Sequence, residues 1–310
     1  MVSHLPTHLD AEKALAVALA ALGALWPRRA VTLTPLKPLT KPLRATVFRV
    51  AGGPRPAVAK VWGPGNAARA AAQAARQAEV AAAMACGPCR VPGVLGFDAA
   101  RNTLIMTDPG GESLRTLGER GAAVAAQAGG WLAAFHDLSL RAHPFRPAGH
   151  LAWAADLKDA VRSGTRILPE PEDFAARIDA LTPLARAARG SPACRAVTHR
   201  DMTLANLVTG GGAIWGIDFE NARQDEPLRD LFTLALDLCI LAPGATGRET
   251  ALAALRQGYR REIATPEARL FLQQAFALGV WANTPVMPSR RQAARLEAAQ
   301  WMLGFGEPVI

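Results

Sequence analysis

The residues DPGG at 108–111 separate two parts of the chain that follow different sequence patterns. Before them, TVFRV and AVAKVW are β-rich runs separated by AGGPRP, which predicts a hairpin, and GVLGFD and TLIMT joined by AARN predict another. An alanine-rich run at 65–85 lies between the two hairpins and predicts a helix. The first part therefore predicts a small sheet with one embedded helix.

Beyond 111 the pattern is mainly helical, and the exception is NLVTGGGAIWGIDF, which predicts two strands around a triple-glycine turn. The sequence as a whole therefore predicts an α+β fold of two lobes. The first is a β-rich lobe over 1–107, and the second is a larger, mainly helical lobe over 108–310.

The charge and hydropathy of the chain limit the classes of partner that the sequence predicts. The net charge is +9, but no block of five or six basic residues occurs, which favours scattered solvated charge over a nucleic-acid surface. The apolar run ALAVALAALGALW at 14–26 is too short to span a bilayer. We therefore expect no nucleic-acid or membrane partner, no obligate protein partner and a cytoplasmic location.

Cys86 and Cys89 in ACGPCR have the spacing of a thioredoxin redox pair. They follow the predicted alanine-rich helix, whereas such a pair opens a helix at the end of a strand. We expect two reduced thiols in a turn.

Chemistry-bearing side chains are most crowded in THRDMTLAN at 198–206 and in GIDFEN, which follows at 216–221. The predicted hairpin would return Asp218 to the side of Asn206, so that oxygens of Asp201, Asn206 and Asp218 face one point. Phosphoryl transfer needs a carboxylate to accept a hydroxyl proton and hard oxygen ligands for Mg²⁺. The alternative is a structural loop in which Asp201 caps backbone amides and Asn206 stabilises a turn.

These residues resemble the protein-kinase-like superfamily. HRDMTLAN matches its H-R-D-x-x-x-x-N catalytic loop, and IDFE stands where D-F-G would. The resemblance implies Asp201 as the catalytic base, Asn206 and Asp218 as Mg²⁺ ligands, and ATP as the phosphoryl donor.

Such a fold also needs a strand lysine for the α- and β-phosphates and a helical glutamate that holds the lysine. Period-two alternation in AVAKVW puts Val58 and Lys60 on one face, with Val58 covering the adenine. Glu79 is the one acid between Gly65 and Cys89, so it is the predicted partner of Lys60. The alternative for Glu79 is a solvated charge on the outer face of the helix.

Other segments resemble a narrower group, the aminoglycoside phosphotransferase and choline kinase family. Only eleven residues separate Asp218 from Asp230, too few for a protein-kinase activation segment, and Thr203 stands where the serine/threonine kinases have a lysine. GESLRTL, LAAFHDL and PLRDL add to the likeness, which covers about 35–240. It implies that His199 packs inside the protein and that Asp230 braces the catalytic loop.

The nucleotide hinge is expected at Met106, Thr107 and Asp108. The adenine needs a carbonyl and, two residues later, an N–H, but Pro109 has no N–H to donate. A shift of one residue would make Asp108 the acceptor and Gly110 the donor.

The segment expected to cover the phosphates reads TKPLRAT and lacks the usual glycines. Lys41 and Pro42 stand where glycines are expected. Lys41 or Arg44 is expected to supply positive charge in place of backbone amides, unless the loop stands off the nucleotide.

The sequence thus predicts an ATP- and Mg²⁺-dependent transfer of the γ-phosphoryl group to a hydroxyl of a small molecule such as an aminoglycoside, an amino alcohol or a sugar. Acids in PEPEDF at 169–174 would suit a cationic acceptor but more simply favour a helix N-terminus. An aromatic cage for choline would draw on Trp131, Trp153 or Trp281. The basic balance suits a sugar or an anionic acceptor equally. A catalytically silent nucleotide-binding scaffold is the alternative function.

Overall fold

The structure is a computed structural model that describes residues 8–38, 44–118, 121–242 and 244–310. The helices are α1 Ala11–Leu25, α2 Ala67–Ala83, α3 Ala122–Asp137, α4 Ala148–Arg162, α5 Pro171–Ala188, α6 Leu228–Leu241, α7 Gly244–Tyr259, α8 Pro266–Ala282 and α9 Arg290–Leu303. The strands are β1 Thr32–Pro35, β2 Ala45–Ala51, β3 Ala57–Trp62, β4 Cys89–Arg90, β5 Val94–Asp98, β6 Thr103–Thr107, β7 Glu112–Ser113, β8 Arg141–Pro144, β9 Pro192–Thr198, β10 Leu207–Gly210, β11 Ala213–Gly216 and β12 Arg223–Asp225. The predicted α+β class is confirmed.

The described residues form two compact units. The first unit combines Met1–Glu112 with Val208–Glu220, and the second combines Ser113–Leu207 with Asn221–Ile310. The sequence predicted two continuous lobes and did not anticipate that the segment at 208–220 belongs with the first unit.

The first unit is built on an antiparallel five-stranded sheet in the order β1-β2-β3-β6-β5. Both predicted hairpins, β2–β3 and β5–β6, are confirmed. Side chains of β3 alternate between the two faces of the sheet. Ala57, Ala59 and Val61 pack in the clusters that include α1, whereas Trp62 packs with Ala70 of α2. Each face of β3 is therefore covered by a helix.

A second sheet has the order β4-β11-β10-β7 and contains the predicted hairpin β10–β11. The short strand β4 pairs in parallel with β11, with Cys89 opposite Ile214. Cys86 and Cys89 are free thiols, and burial raises the pKa of Cys89. A raised pKa disfavours the thiolate that redox chemistry needs, so the pair is consistent with the expected reduced turn.

The second unit contains a three-stranded sheet, β12-β9-β8, that the sequence did not predict. Its strands RAHP, PACRAVT and RQD are short and rich in alanine and arginine, so they carry little β-propensity or alternation. The central strand β9 ends at Thr198, directly before the loop that begins with His199. This sheet therefore anchors the start of the HRDMTLAN segment.

Helices α3 and α7 approach each other at backbone distance. A Cβ atom added to Gly129 would lie 2.3 Å from the carbonyl oxygen of Leu255, and one added to Gly258 would lie 2.1 Å from that of Ala126. Real Cβ atoms do not approach backbone so closely, so both positions require glycine. The close approach brings His136, near the end of α3, within hydrogen-bonding distance of Tyr259 on α7.

None of the helices within the described ranges combines the length and the apolar run that crossing a bilayer requires.

We predict that Gly129→Ala lowers the free energy of unfolding by about 1–3 kcal/mol, because its new methyl group meets the backbone of α7. Gly130→Ala is the matched control in the same helix, since its nearest neighbour would be a carbonyl oxygen at 4.0 Å. It should instead gain about 0.5–1 kcal/mol of helix propensity. Urea unfolding followed by circular dichroism measures both, and equal effects would contradict the proposed backbone contact.

Candidate active site

Lys60 lies at the centre of a polar cluster in the first unit. Its side chain is only 7% exposed, and Nζ donates hydrogen bonds to Asp218 Oδ1 at 2.7 Å, Glu220 Oε2 at 3.0 Å and Gln73 Oε1 at 3.0 Å. The ammonium also lies 4.9 Å from the ring centroid of Trp62. Two carboxylates, one amide and one aromatic face therefore fix a nearly buried positive charge.

The predicted pairing of Lys60 with Glu79 is wrong, because Gln73 is the residue of α2 that contacts the lysine. Glu79 is exposed, whereas Gln73 and Gln77 are buried. Six residues of α-helix turn the side chain about 240° beyond one full turn, so Glu79 points away from the face that carries Gln73. The alternative considered for Glu79, a solvated charge on the outer helix face, describes its position.

Glu220 supplies a carboxylate to Lys60 in place of the one expected from α2. It contacts Lys60 and also forms an ion pair with Arg69 of α2, while Arg76 of the same helix donates to the carbonyl oxygen of Phe219 at 3.1 Å. The segment after Asp218 is thereby tied to α2 at two points. Sequence reasoning did not assign Gln73 or Glu220 to the site.

The signals for both missed residues were local. Gln73 and Gln77 are spaced four apart among alanines, which is the spacing of one helix face, and both are buried. Glu220 occupies the position of the glycine in D-F-G, where a carboxylate two residues from Asp218 has the reach to share its partner.

Asp218 combines an ion pair with an unusual backbone. Its φ is 70°, in the left-handed region that a non-glycine residue seldom occupies, and its side chain is 38% exposed. Such conformations cost about 1–3 kcal/mol and persist at functional sites, where the surrounding structure holds them. The exposed part of its carboxylate can accept a ligand in addition to Lys60.

The loop with Asp201 and Asn206 belongs to the second unit. Asn206 Nδ2 donates to the carbonyl oxygen of Asp201 at 2.7 Å, and the backbone N–H of Asn206 donates to that of Thr203 at 2.9 Å. This orientation leaves Oδ1 of Asn206 on the opposite side of the amide group. Asp201 itself is exposed. A carboxylate and an amide oxygen are ligands of the type that Mg²⁺ prefers, so Asn206 and Asp218 fit the expected ion chemically.

Asp230 of α6 holds the start of this loop from inside the protein. It is fully buried and accepts from the backbone N–H groups of His199 at 2.6 Å and Arg200 at 2.8 Å. His136 Nε2 lies 3.2 Å from the same carboxylate, and His136 Nδ1 lies 2.8 Å from the hydroxyl of Tyr259. The bracing role that the resemblance implied for Asp230 is present, and His199 is buried as expected.

The pKa of Asp230 reflects this environment. Burial acts to raise the pKa, but the hydrogen bond and the nearby positive potential of His136, together with the backbone N–H of His199, outweigh burial and lower it. The folded protein therefore keeps this buried carboxylate ionised.

Asp237, two helical turns further along α6, holds the middle of the loop. Its Oδ2 accepts from the backbone N–H of Leu204 at 3.1 Å, and its Oδ1 lies 3.5 Å from Nη1 of both Arg115 and Arg295. Seven residues separate Asp230 from Asp237, so both project from one face of the helix. A lone acid in the apolar run LFTLALDLCIL was the sequence signal for this residue.

Arg200, whose role the sequence left open, pairs with Asp225. Its Nη1 lies 2.7 Å from Asp225 Oδ2, and Arg229 Nε lies 2.6 Å from the same oxygen. The backbone of Arg200 has a φ of 66°, in the left-handed region. Arg200 thus links the HRDMTLAN loop to β12 directly and, through the shared Asp225, to α6.

The expected hinge residues lie at the end of β6, where Met106 pairs with Val58 of β3. The backbone N–H of Thr107 donates to the carbonyl oxygen of Gly93 at 2.9 Å, and that of Asp108 donates to the carbonyl oxygen of Pro56 at 3.1 Å. The N–H of Gly110 donates to the side chain of Asp108 at 2.9 Å. An adenine would have to displace the Asp108 side chain to use the N–H of Gly110.

Lys41 and Pro42, the expected departures from a glycine-rich phosphate loop, lie outside the described residues. Arg44 is exposed and directly precedes β2.

Comparison with known proteins places these features in context. The phosphotransferase enzyme family has a sequence profile that matches residues 35–271, more than half of the chain. No protein of curated function matches the sequence.

Solved structures with similar folds include a choline/ethanolamine kinase family protein from Mesorhizobium loti, with 19% identity, a TM-score of 0.60 and 96% of each chain covered. A choline kinase from Cryptosporidium parvum Iowa II has 11% identity and a TM-score of 0.58, with 94% of this chain and 93% of that chain covered. A thermostable mutant of aminoglycoside phosphotransferase APH(4)-Ia, in ternary complex with ADP and hygromycin B, has 16% identity and a TM-score of 0.57, with 92% and 95% covered. These similarities establish the protein-kinase-like fold.

We predict that Glu220→Gln lowers the free energy of unfolding by about 1–3 kcal/mol, because it removes a charged acceptor from Lys60 and Arg69 together. Glu79→Gln, the matched control on the exposed face of α2, should leave the unfolding midpoint in urea unchanged. If Glu79→Gln destabilises the protein as much as Glu220→Gln does, the contacts assigned to Lys60 are incorrect.

Asp230→Asn should destabilise the protein by about 2–3 kcal/mol at pH 7, because the loop N–H groups lose a charged acceptor. The pKa of Asp230 is lowered on folding. Its carboxylate therefore contributes fully above the pKa of an unfolded aspartate, about 3.9, and the contribution is lost as the pH falls through the folded value.

The difference in unfolding free energy between the wild type and Asp230→Asn should thus be constant from about pH 5 to 7 and shrink below about pH 4. Asp159→Asn is the control, since the Asp159 side chain is 76% exposed. A difference that grows towards acid pH would contradict the lowered pKa.

Proposed function

Because the chain belongs to the phosphotransferase enzyme family, we propose that it transfers the γ-phosphoryl group of ATP to a hydroxyl group of a small molecule with the help of Mg²⁺. The observation that carries this proposal is the ion pair of 2.7 Å between Lys60 and Asp218. These are the lysine and the acid that the resemblance assigns to the triphosphate and to the metal. An ADP complex among the similar structures supports a nucleotide donor.

In this proposal Asp201 accepts the proton of the acceptor hydroxyl. The hydroxyl oxygen forms a bond to the γ-phosphorus, the bond from that phosphorus to the bridging oxygen breaks, and ADP leaves. Asp201 suits the role because its carboxylate is exposed in a loop whose backbone is held by Asp230 and Asp237. A fixed loop keeps the base oriented at little entropic cost.

Lys60 orients the phosphates of the nucleotide. When a ligand engages Asp218, the lysine retains Glu220 and Gln73 as partners, so that its ammonium stays in position. Mg²⁺ held by Asn206 and Asp218 would neutralise negative charge on the triphosphate.

A catalytically silent nucleotide-binding protein is the second candidate. It is favoured by the hinge, where the N–H groups of Thr107, Asp108 and Gly110 already have acceptors. Pro109 has no N–H to offer an adenine. The carboxylate of Asp201 in a doubly braced loop weighs against it, because a scaffold has no use for a proton acceptor.

We predict that Asp201→Asn reduces kcat by about 10²–10⁴-fold, because the amide cannot accept the hydroxyl proton. ADP release from ATP and Mg²⁺ measures this in a coupled assay over aminoglycosides, amino alcohols, sugars and their anionic derivatives. The thermal stabilisation of the variant by ATP with Mg²⁺ should equal that of the wild type.

Asp159→Asn serves as the control and should retain full turnover. Full turnover in Asp201→Asn would refute its assignment as the base. If nucleotide stabilises the wild type while no acceptor increases ADP release, the silent alternative is correct.

A further inference from the structure

A large cavity lies wholly within the second unit. Its volume is about 850 Å³, which is in the range of small-molecule sites. Helices α4, α6, α8 and α9 and strands β9 and β12 contribute to its wall. The proposed base is close to it, because Arg200, the neighbour of Asp201 in sequence, lines the cavity.

The wall of the cavity is strongly cationic. Six arginines line it, against two carboxylates, Asp225 and Glu226. The arginines lie in β9, β12, α6, α9 and two connecting segments, and are Arg146, Arg195, Arg200, Arg223, Arg229 and Arg295.

Neither carboxylate is available to a cationic ligand. Asp225 Oδ2 accepts from both Arg200 and Arg229. Glu226 lies 3.3 Å from Arg195 and 3.7 Å from His150. Arg195, Arg200 and Arg229 therefore pair with these two carboxylates, and Arg295 lies 3.5 Å from Asp237. The arginines of the wall still outnumber the carboxylates.

The ionisation of these groups reflects the same excess. Burial and the positive charge of Arg229 lower the pKa of Arg200. His143 lies three residues before Arg146 of the wall, and burial together with the positive charges of Arg195 and Arg146 lowers its pKa. Burial is the larger cause of both shifts, and the neighbouring arginines add to it.

Arg295 connects the wall of the cavity with the loop of the proposed base. Burial lowers the pKa of Arg295, and the negative charges of Asp237 and, more weakly, Asp201 act in the opposite direction. Arg200 directly precedes Asp201 in the chain, and Arg295 lies 3.5 Å from Asp237, which holds the same loop. A ligand held by this wall would therefore lie beside the loop that carries the proposed base.

The features expected for a cationic acceptor lie elsewhere. Glu172 and Asp173 are in the first turn of α5, where the sequence favoured a helix N-terminus, and they do not line the cavity. Trp131 is buried against Phe135, and only Trp153 of the three candidate cage residues lines the cavity.

On the basis of the proposed function, we infer that the acceptor is an anionic hydroxyl compound, a small molecule that carries a phosphate or a carboxylate group beside the hydroxyl that is phosphorylated. Guanidinium groups recognise both kinds of anion through paired hydrogen bonds. An aminoglycoside or an amino alcohol would instead bring positive charge against six arginines.

Matched acceptors test this inference. D-glucose, glucose 6-phosphate, gluconate and glucosamine form one series, and glycerol, glycerol 3-phosphate, glycerate and ethanolamine form another. In each, kcat/KM for an anionic member should exceed that of the neutral and cationic members by about tenfold or more. The phosphate and carboxylate members distinguish the two sources of negative charge. A cationic or neutral member with the highest kcat/KM overturns the inference and leaves the proposed phosphotransfer intact.

Arg146→Gln and Arg223→Gln test the wall directly, because both side chains are exposed at the cavity. Each should raise the KM for the anionic acceptor about tenfold and leave the KM for ATP unchanged. Arg186→Gln, an exposed arginine of α5 outside the cavity, is the control. Variants of the wall that behave like Arg186→Gln refute the inference.

A binding readout separates the two proposals if no acceptor increases ADP release, which would refute the proposed function. Thermal unfolding is measured with inorganic phosphate and with gluconate, at a saturating concentration of an ATP analogue. Each anion should raise the unfolding temperature of the wild type and of Arg186→Gln more than that of the double variant that carries Arg146→Gln and Arg223→Gln. Equal shifts would overturn the anionic cavity as well.

Discussion

The HRDMTLAN loop, which carries the proposed base, depends on two buried carboxylates of one helix. Asp230 accepts from the N–H groups of His199 and Arg200, and Asp237 accepts from that of Leu204. A buried charge is costly unless it is hydrogen-bonded, and here the partners are backbone groups that would otherwise be left unsatisfied. The hydrogen bonds that these two carboxylates accept therefore fix the backbone around Asp201. The glycine contact between α3 and α7 supports this arrangement at a distance, because it positions His136 against Asp230.

The sequence was sufficient wherever the information was local. Hairpins β2–β3 and β5–β6 follow from alternation and turn residues within short stretches, and α2 follows from a run of alanines. Lys60 and Asp218 were identified through their motifs, and the structure brings these two side chains together. The sequence assigned both residues to one site, although it paired Lys60 with Glu79 and not with Asp218.

The rest depends on the phase and packing of separate elements. Which face of α2 meets β3 is set by tertiary packing, so Gln73 was passed over for Glu79, the only acid in the helix. In the sheet of β8, β9 and β12, two strands are too short to show a period. The seven residues of β9, PACRAVT, include proline, alanine and arginine and carry little β-propensity. The cationic cavity draws its arginines from segments between 146 and 295, and their convergence has no signature in any one of them.

The discontinuity of the first unit has a consequence for biosynthesis. Val208–Glu220 completes that unit, yet the whole of Ser113–Leu207 is translated before it. Until residue 220 leaves the ribosome, the nascent chain lacks both carboxylates that neutralise Lys60, and a nearly buried cation without them disfavours compaction. The early part of the polypeptide should thus remain loosely folded and reach its final form only after the segment at 208–220 has been made.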